Sequence, residues 1–205
     1  MPLGGLASDG IAISWLDTDG TSGQLLTWND DAGVTTLASM SVPTPLLGYP
    51  TSSIAIAGGT TSWIEGDTAS KQSILRELTS SDGGARDAVP LATATTTDGS
   101  NVFAIVPTAS GFEVRSFSLD GTTFAPLEVS TASGPALGAA VDASNVYFTS
   151  TNRGEVWRVS RTGNDSELLA GAQDRPVGLA VDDAAIYWAN EGSSNDSGSV
   201  MKALK

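Results

Sequence analysis

The strongest constraint on this chain is that it repeats itself. Residues 134–142 read Gly-Pro-Ala-Leu-Gly-Ala-Ala-Val-Asp and residues 145–150 read Asn-Val-Tyr-Phe-Thr-Ser. Residues 175–182 and 185–190 then read Arg-Pro-Val-Gly-Leu-Ala-Val-Asp and Ala-Ile-Tyr-Trp-Ala-Asn. Asp142 and Asp182 are 40 residues apart, as are Tyr147 and Tyr187. A period of this size, built from short apolar runs broken by turn residues, predicts a β-propeller blade of about four antiparallel strands. The expected fold class is therefore all-β, a β-propeller.

The repeat extends along the whole chain. Aromatic anchors at Trp15, Trp63, Phe103, Tyr147 and Tyr187 are separated by 48, 40, 44 and 40 residues. They mark one domain of five repeats, at about 2–39, 52–90, 92–130, 134–171 and 175–205. Pro43, Pro45 and Pro50 stiffen a connector at 40–50. In the first repeat, strands are expected at 11–16, 24–28 and 34–38 around a loop at 17–23. In the second they fall at 53–57, 60–64 and 73–78, with a loop at 65–72. The stretch 71–78 is the most helix-prone of the chain. Its place in the repeat, and the turn Ser81-Asp82-Gly83-Gly84 after it, make it a strand. In the third repeat Asp120-Gly121 is a hairpin turn, because such turns need positive φ. The fifth repeat stops after three strands, at 177–181, 186–189 and 200–204. Either the ring closes with a three-stranded last blade, or the chain belongs to a larger propeller of six to eight blades.

Tyr147-Phe148-Thr149-Ser150 and Tyr187-Trp188-Ala189-Asn190 loosely resemble the Tyr-Trp-Thr-Asp blade motif of lipoprotein-receptor propellers, and the run from Gly178 to Asp182 strengthens the likeness. The chain also resembles bacterial surface or secreted propellers that carry such repeats. The likeness is good over 134–190 and fades to Trp15-Leu16-Asp17, Trp63-Ile64-Glu65 and Phe103-Ala104-Ile105. It implies a propeller located outside the cytoplasm, although residues 1–5 show no export signal. It implies no activity, because this architecture hosts many functions.

Composition removes several chemistries. The sequence has no His and no Cys. That excludes a Ser–His–Asp triad, a thiolate nucleophile and Cys-ligated zinc. A Ser–Lys pair has only Lys71, Lys202 and Lys205 to draw on. With 23 acidic against 10 basic residues, the net charge of −13 repels nucleic acid and anionic lipid. No run approaches the roughly 18 apolar residues of a membrane span.

Small residues of the first strands, including Gly138, Ala139, Ala140, Gly178 and Ala180, are expected to pack at the crowded centre of the ring. Asp9, Asp98, Asp142 and Asp182 precede second strands. An Asp there caps a turn through backbone donors; metal binding is the alternative. Arg76, Arg115, Arg158 and Lys202 recur on third strands. They are expected to pair with a neighbouring blade's carboxylate or to cover an aromatic face. Trp15, Trp28, Trp63, Trp157 and Trp188 read as blade-packing aromatics, with sugar stacking as the alternative.

The expected interaction face is an arc of loop acids: Asp17, Asp19, Glu65, Asp67, Glu191 and Asp196. They come from repeats one, two and five, which are contiguous if a five-blade ring closes. Loops on a rigid scaffold are where binding residues sit, and a negative patch attracts divalent cations or a basic partner. Asp17-Thr18-Asp19-Gly20 has the spacing of a calcium-loop start. The third alternate ligand and the distal Glu are missing from it. The expectation is a monomeric, non-enzymatic binding or protein-interaction module for a protein or small ligand. It has no cofactor, with calcium as the ion its acids would admit. The alternative is a metal-dependent propeller enzyme of the lactonase or lyase kind. That enzyme needs carboxylate and Asn ligands converging on the channel, where these first strands supply mostly Ala, Gly, Ser and Thr.

Overall fold

The computed structural model describes residues 6–8, 10–18, 22–41, 54–67, 72–79, 86–118, 126–130, 136–163, 165–194 and 197–205. Among these residues nineteen strands form five antiparallel sheets, each sheet taking its strands in chain order. Blade 1 holds β1 (Leu6–Ser8), β2 (Ile13–Thr18), β3 (Ser22–Asn29) and β4 (Gly33–Ser41). Blade 2 holds β5 (Ile54–Ala57), β6 (Thr60–Asp67), β7 (Gln72–Thr79) and β8 (Arg86–Pro90). Blade 3 holds β9 (Ala94–Thr97), β10 (Asn101–Thr108), β11 (Gly111–Ser118) and β12 (Leu127–Ser130). Blade 4 holds β13 (Ala136–Val141), β14 (Asn145–Ser150), β15 (Glu155–Ser160) and β16 (Ser166–Ala170). Blade 5 has three strands, β17 (Pro176–Val181), β18 (Ala185–Asn190) and β19 (Ser199–Leu204). One 3-10 turn, Thr151–Arg153, is the only described helical element.

Successive strand residues point to opposite faces, so a strand packed on both sides is apolar along its whole length. β10 shows this well. Val102, Ala104 and Val106 join Ile64, Leu75 and Val89 in the core between blades 2 and 3. Phe103 and Ile105 join Val146, Phe148 and Val159 in the core between blades 3 and 4. Leu16, Leu25, Ile54 and Trp63 fill the core between blades 1 and 2. Phe112 and Phe148 meet across the gap between blades 3 and 4, with ring centroids 4.8 Å apart and planes tilted by 57°.

The first strands pack in the order β1, β5, β9, β13, β17. Among the described residues no comparable packing joins blade 5 to blade 1. At the tightest approach, a Cβ built on Gly138 would sit 2.0 Å from the Val177 carbonyl oxygen of the next blade. The small first-strand residue there is required by packing, as expected.

Several boundaries differ from the sequence reading. β2 begins two residues later, because Gly10 turns with φ of 87° and leaves Ile11 82% exposed. β6 runs through Asp67, so Glu65 and Asp67 are strand residues and not the start of a loop. Glu65 pairs with Ile74 and Asp67 with Gln72, and this longer ladder satisfies more backbone groups than a loop would. β4 continues through Ser41 into the expected connector. Residues 42–50, the turn at 81–84 and Asp120-Gly121 lie outside the described residues. The helix-prone stretch is β7, with Leu75 fully buried in the core between blades 2 and 3. Tertiary burial outweighs local propensity over so few residues.

Candidate functional site

In an antiparallel blade, the turns between strands 1 and 2 and between strands 3 and 4 share one face. The loops between strands 2 and 3 share the opposite face with the connectors between blades. The charged residues divide between these two faces.

On the turn face, one Asp does the same work three times. Asp98 Oδ1 accepts the backbone N–H groups of Ser100 and Asn101 at 2.9 and 2.7 Å. Asp142 Oδ1 accepts those of Ser144 and Asn145, both at 2.8 Å. Asp182 Oδ1 accepts those of Ala184 and Ala185, both at 2.8 Å. This is the turn-capping role expected of these residues; Asp9 lies outside the described residues. The second oxygen takes the anchor tyrosine. Tyr147 Oη donates to Asp142 Oδ2 at 2.9 Å, and Tyr187 Oη donates to Asp182 Oδ2 at 3.0 Å. In blade 3 the anchor is Phe103, and Asn101 Nδ2 donates to Asp98 Oδ2 instead.

Cations from the following blade complete two of these sites. Arg161, just after β15, pairs with Asp98 of blade 3 and lies 5.0 Å from the Phe103 ring centroid. Its Nη1 also donates to the Asp142 carbonyl oxygen at 3.1 Å. Lys205, just after β19, pairs with Asp142 of blade 4 at 2.7 Å. Burial alone would raise the Asp142 pKa. The bonds from Lys205, Ser144, Asn145 and Tyr147 outweigh burial and bring the group down to about 2. Burial and the Asp142 carboxylate raise the pKa of Tyr147.

The sequence reading gave the third-strand cations a neighbouring blade's carboxylate or an aromatic face to cover; Arg115 and Arg158 instead pair with carboxylates of their own blade. Arg115 pairs with Glu113 on its own strand, and Arg158 with Glu167 on the adjoining strand. Lys202 does cover an aromatic face, with Nζ 5.1 Å from the Tyr187 ring centroid. The bridging cations are Arg161 and Lys205, each three residues past a third-strand cation. A pattern search extended beyond the strand ends would have found them.

On the loop face, Asp17 is an exposed residue of β2. Glu191 follows β18, and its Oε2 accepts bonds from Arg175 Nε at 3.0 Å and Nη2 at 2.8 Å. Its charge is therefore offset locally. Glu65 and Asp67 belong to β6, with their side chains outside the description, and Asp19 and Asp196 lie outside the described residues. Asp19, Asp67 and Glu191 stand four residues beyond the anchors of their repeats, where repeats three and four carry Pro107 and Thr151. Thr151 Oγ1 donates to the Pro176 carbonyl oxygen at 2.7 Å, so this position can also serve packing. Blade 1 packs on blade 2, and blade 5 on blade 4, so the described packing runs the long way round the arc. Among the described residues no three carboxylates gather as a metal-binding group.

The blade 4 to blade 5 connector meets this face. Gln173 Oε1 accepts bonds from Trp188 Nε1 at 2.9 Å and Asn190 Nδ2 at 3.2 Å. Asp174 Oδ2 accepts the N–H of Ser193 at 2.9 Å, strapping the 191–198 loop to the connector. Ser150 Oγ and Asn190 Oδ1, three residues beyond their anchors, are buried without a partner. Trp63 and Trp188 are buried packing residues, whereas Trp28 is partly exposed.

No family model matches the sequence, and no curated protein matches it. Solved structures share its shape at low sequence identity. A chain of a nidogen–laminin complex superposes with a TM-score of 0.66 at 16% identity, over 92% of this chain and 72% of that one. A streptogramin B lyase gives 0.63 at 14%, over 98% and 68%. This chain is a β-propeller. A catalytically inactive histidine-to-alanine variant of Staphylococcus aureus virginiamycin B lyase, with quinupristin, gives 0.64 at 14%, over 91% and 62%. These propeller relatives in shape include a lyase and a member of a protein–protein complex, so the fold admits both kinds of work.

Proposed function

We propose that this propeller is a non-enzymatic binding module whose loop face engages a cationic ligand, either a divalent ion such as calcium or a basic protein segment. The observation that carries this reading is the division of the acids. The repeated turn-face aspartates are spent on backbone amides, tyrosine hydroxyls and inter-blade cations. The loop-face acids follow the second-strand aromatics Trp15, Trp63 and Tyr187 by two residues at Asp17 and Glu65 and by four at Asp19, Asp67 and Glu191, with Glu191 held by Arg175. A scaffold that repeats its strands while varying its loops is suited to recognition. The lyase reading has less support. The inactive variant of the lyase named above has lost a histidine, and this sequence has none.

Thermal melting at low ionic strength tests the proposal, first with calcium and then with polylysine. A ligand that binds only the folded state raises Tm by mass action. Tm should rise with one of the two, and the rise should vanish in a variant carrying Asp17→Asn, Asp19→Asn, Glu65→Gln and Asp67→Asn. No rise with either ligand, or a rise that survives the four substitutions, defeats the reading.

A further inference from the structure

On the turn face, blades 3 and 4 are each latched by a cation of the next blade. In blades 3 to 5, Asp98, Asp142 and Asp182 each stand five residues before the anchor, directly after the last pair of the first hairpin. In blades 3 to 5, Leu119, Arg161 and Lys205 stand three residues past the third-strand partner of the anchor. Blade 4 supplies Arg161 to Asp98, and blade 5 supplies Lys205 to Asp142. Asp182 has the acid of a latch. Among the described residues no ion pair reaches it, and the cation that acts on it is Lys202 of its own blade, lying over Tyr187.

Three other residues of blade 5 lie open on the same side. Gly178 is the repeat equivalent of Gly138. Gly138 is pressed by the Val177 carbonyl of the next blade, whereas a Cβ on Gly178 would meet nothing within 4 Å. Tyr147 is fully buried between blades 4 and 5, while its equivalent Tyr187 is only half-buried. On β19, Val200 is 80% exposed.

We propose that the open side of blade 5 docks a further blade of this same repeat, one that carries Lys or Arg directly after its third strand. The surface continues the interface that blades 3 and 4 each use with their successors, and the charge of Asp182 selects the partner. Blade 1, whether of this chain or of a second copy, does not fit. It presents Asn29 followed by Asp30 and Asp31, which would set like charges against Asp182.

The test extends the full chain by repeating residues 162–205 after Lys205. This continues the repeat in register, giving blade 5 a fourth strand and then a sixth blade that ends in lysine. A control extension repeats residues 162–170 alone and supplies only the strand. The longer chain should melt several degrees above the control. Asp182→Asn should lower its Tm by about 2–4 °C, the shift expected of one such contact in a chain this size. The same substitution should leave the unextended chain within about a degree. Hydrogen exchange of β17 and β18 should slow in the longer chain. Equal melting of the two extensions, an equal Asp182→Asn shift in extended and unextended chains, or unchanged exchange in β17 and β18 because the added blade stays unfolded would each overturn the proposal. Sedimentation should find the unextended chain monomeric. A dimer that dissociates on Asp182→Lys would make a second copy the occupant and would also overturn it.

Discussion

At residue 138 a single methyl group has no room. The Cβ of an alanine there would stand 2.0 Å from a carbonyl oxygen of blade 5, and backbone cannot swing aside as a side chain can. Gly138→Ala should therefore destabilise the protein by about 1–3 kcal/mol through overpacking. Gly178→Ala, at the equivalent but open position, should stay within about 0.5 kcal/mol. Comparable losses in denaturant titrations of the two variants would show that the close approach is not real. Trp188 is a second such point. It is 4% exposed, and its Nε1 is satisfied by Gln173. Trp188→Ala should cost about 3–5 kcal/mol, since it opens a cavity and leaves Gln173 short of a donor. An unchanged midpoint would place the ring in solvent. Both residues stood out in the sequence, but only the packing of blade 5 on blade 4 separates Gly138 from Gly178.

Between blades, the latch makes stability depend on acid. Asp142 titrates near 2 in the folded chain against an ordinary 3.8. A depressed carboxylate contributes stability that is present above its unfolded pKa and is lost as pH falls through the folded one. The contribution of Asp142 should be complete above about pH 4 and disappear between about pH 4 and pH 2. Asp98 and Asp182 are shifted in the same direction by their turn amides and neighbours. Lys205→Gln should lower Tm at pH 7 by about 2–4 °C, and the gap to the parent should narrow toward pH 2 and close below it. Arg161→Gln should behave the same way through Asp98. A gap as wide at pH 2 as at pH 7 would mean that these side chains act through packing alone. The elements themselves were largely legible: the strands of blade 5 fall within a residue of where the repeat put them. Blades 1 and 2 were less so. Their hairpins lengthen into the expected loops, and register depends on partner strands that no local pattern specifies.

Across the whole molecule, burial is uneven. Ala104 and Ile105 of β10 and Val146, Tyr147 and Phe148 of β14 are wholly buried between neighbouring blades, whereas β19 is an exposed edge with Leu204 at 76% exposure. Native-state hydrogen exchange should find the slowest amides in β10 and β14 and the fastest strand amides in β19; uniform protection would contradict this gradient. The sequence by itself determined the period, the all-β class, the five blades and the capping aspartates. Those features follow from alternation, turn chemistry and residues that bond to their own neighbours, all of which act within a few positions along the chain. Which cation reaches which carboxylate, which glycine is crowded and which side of blade 5 is left open were decided only by the tertiary structure. Arg161 lies 63 residues from Asp98, and Lys205 likewise 63 from Asp142. Contacts of that range exist only once one sheet has been laid against the next.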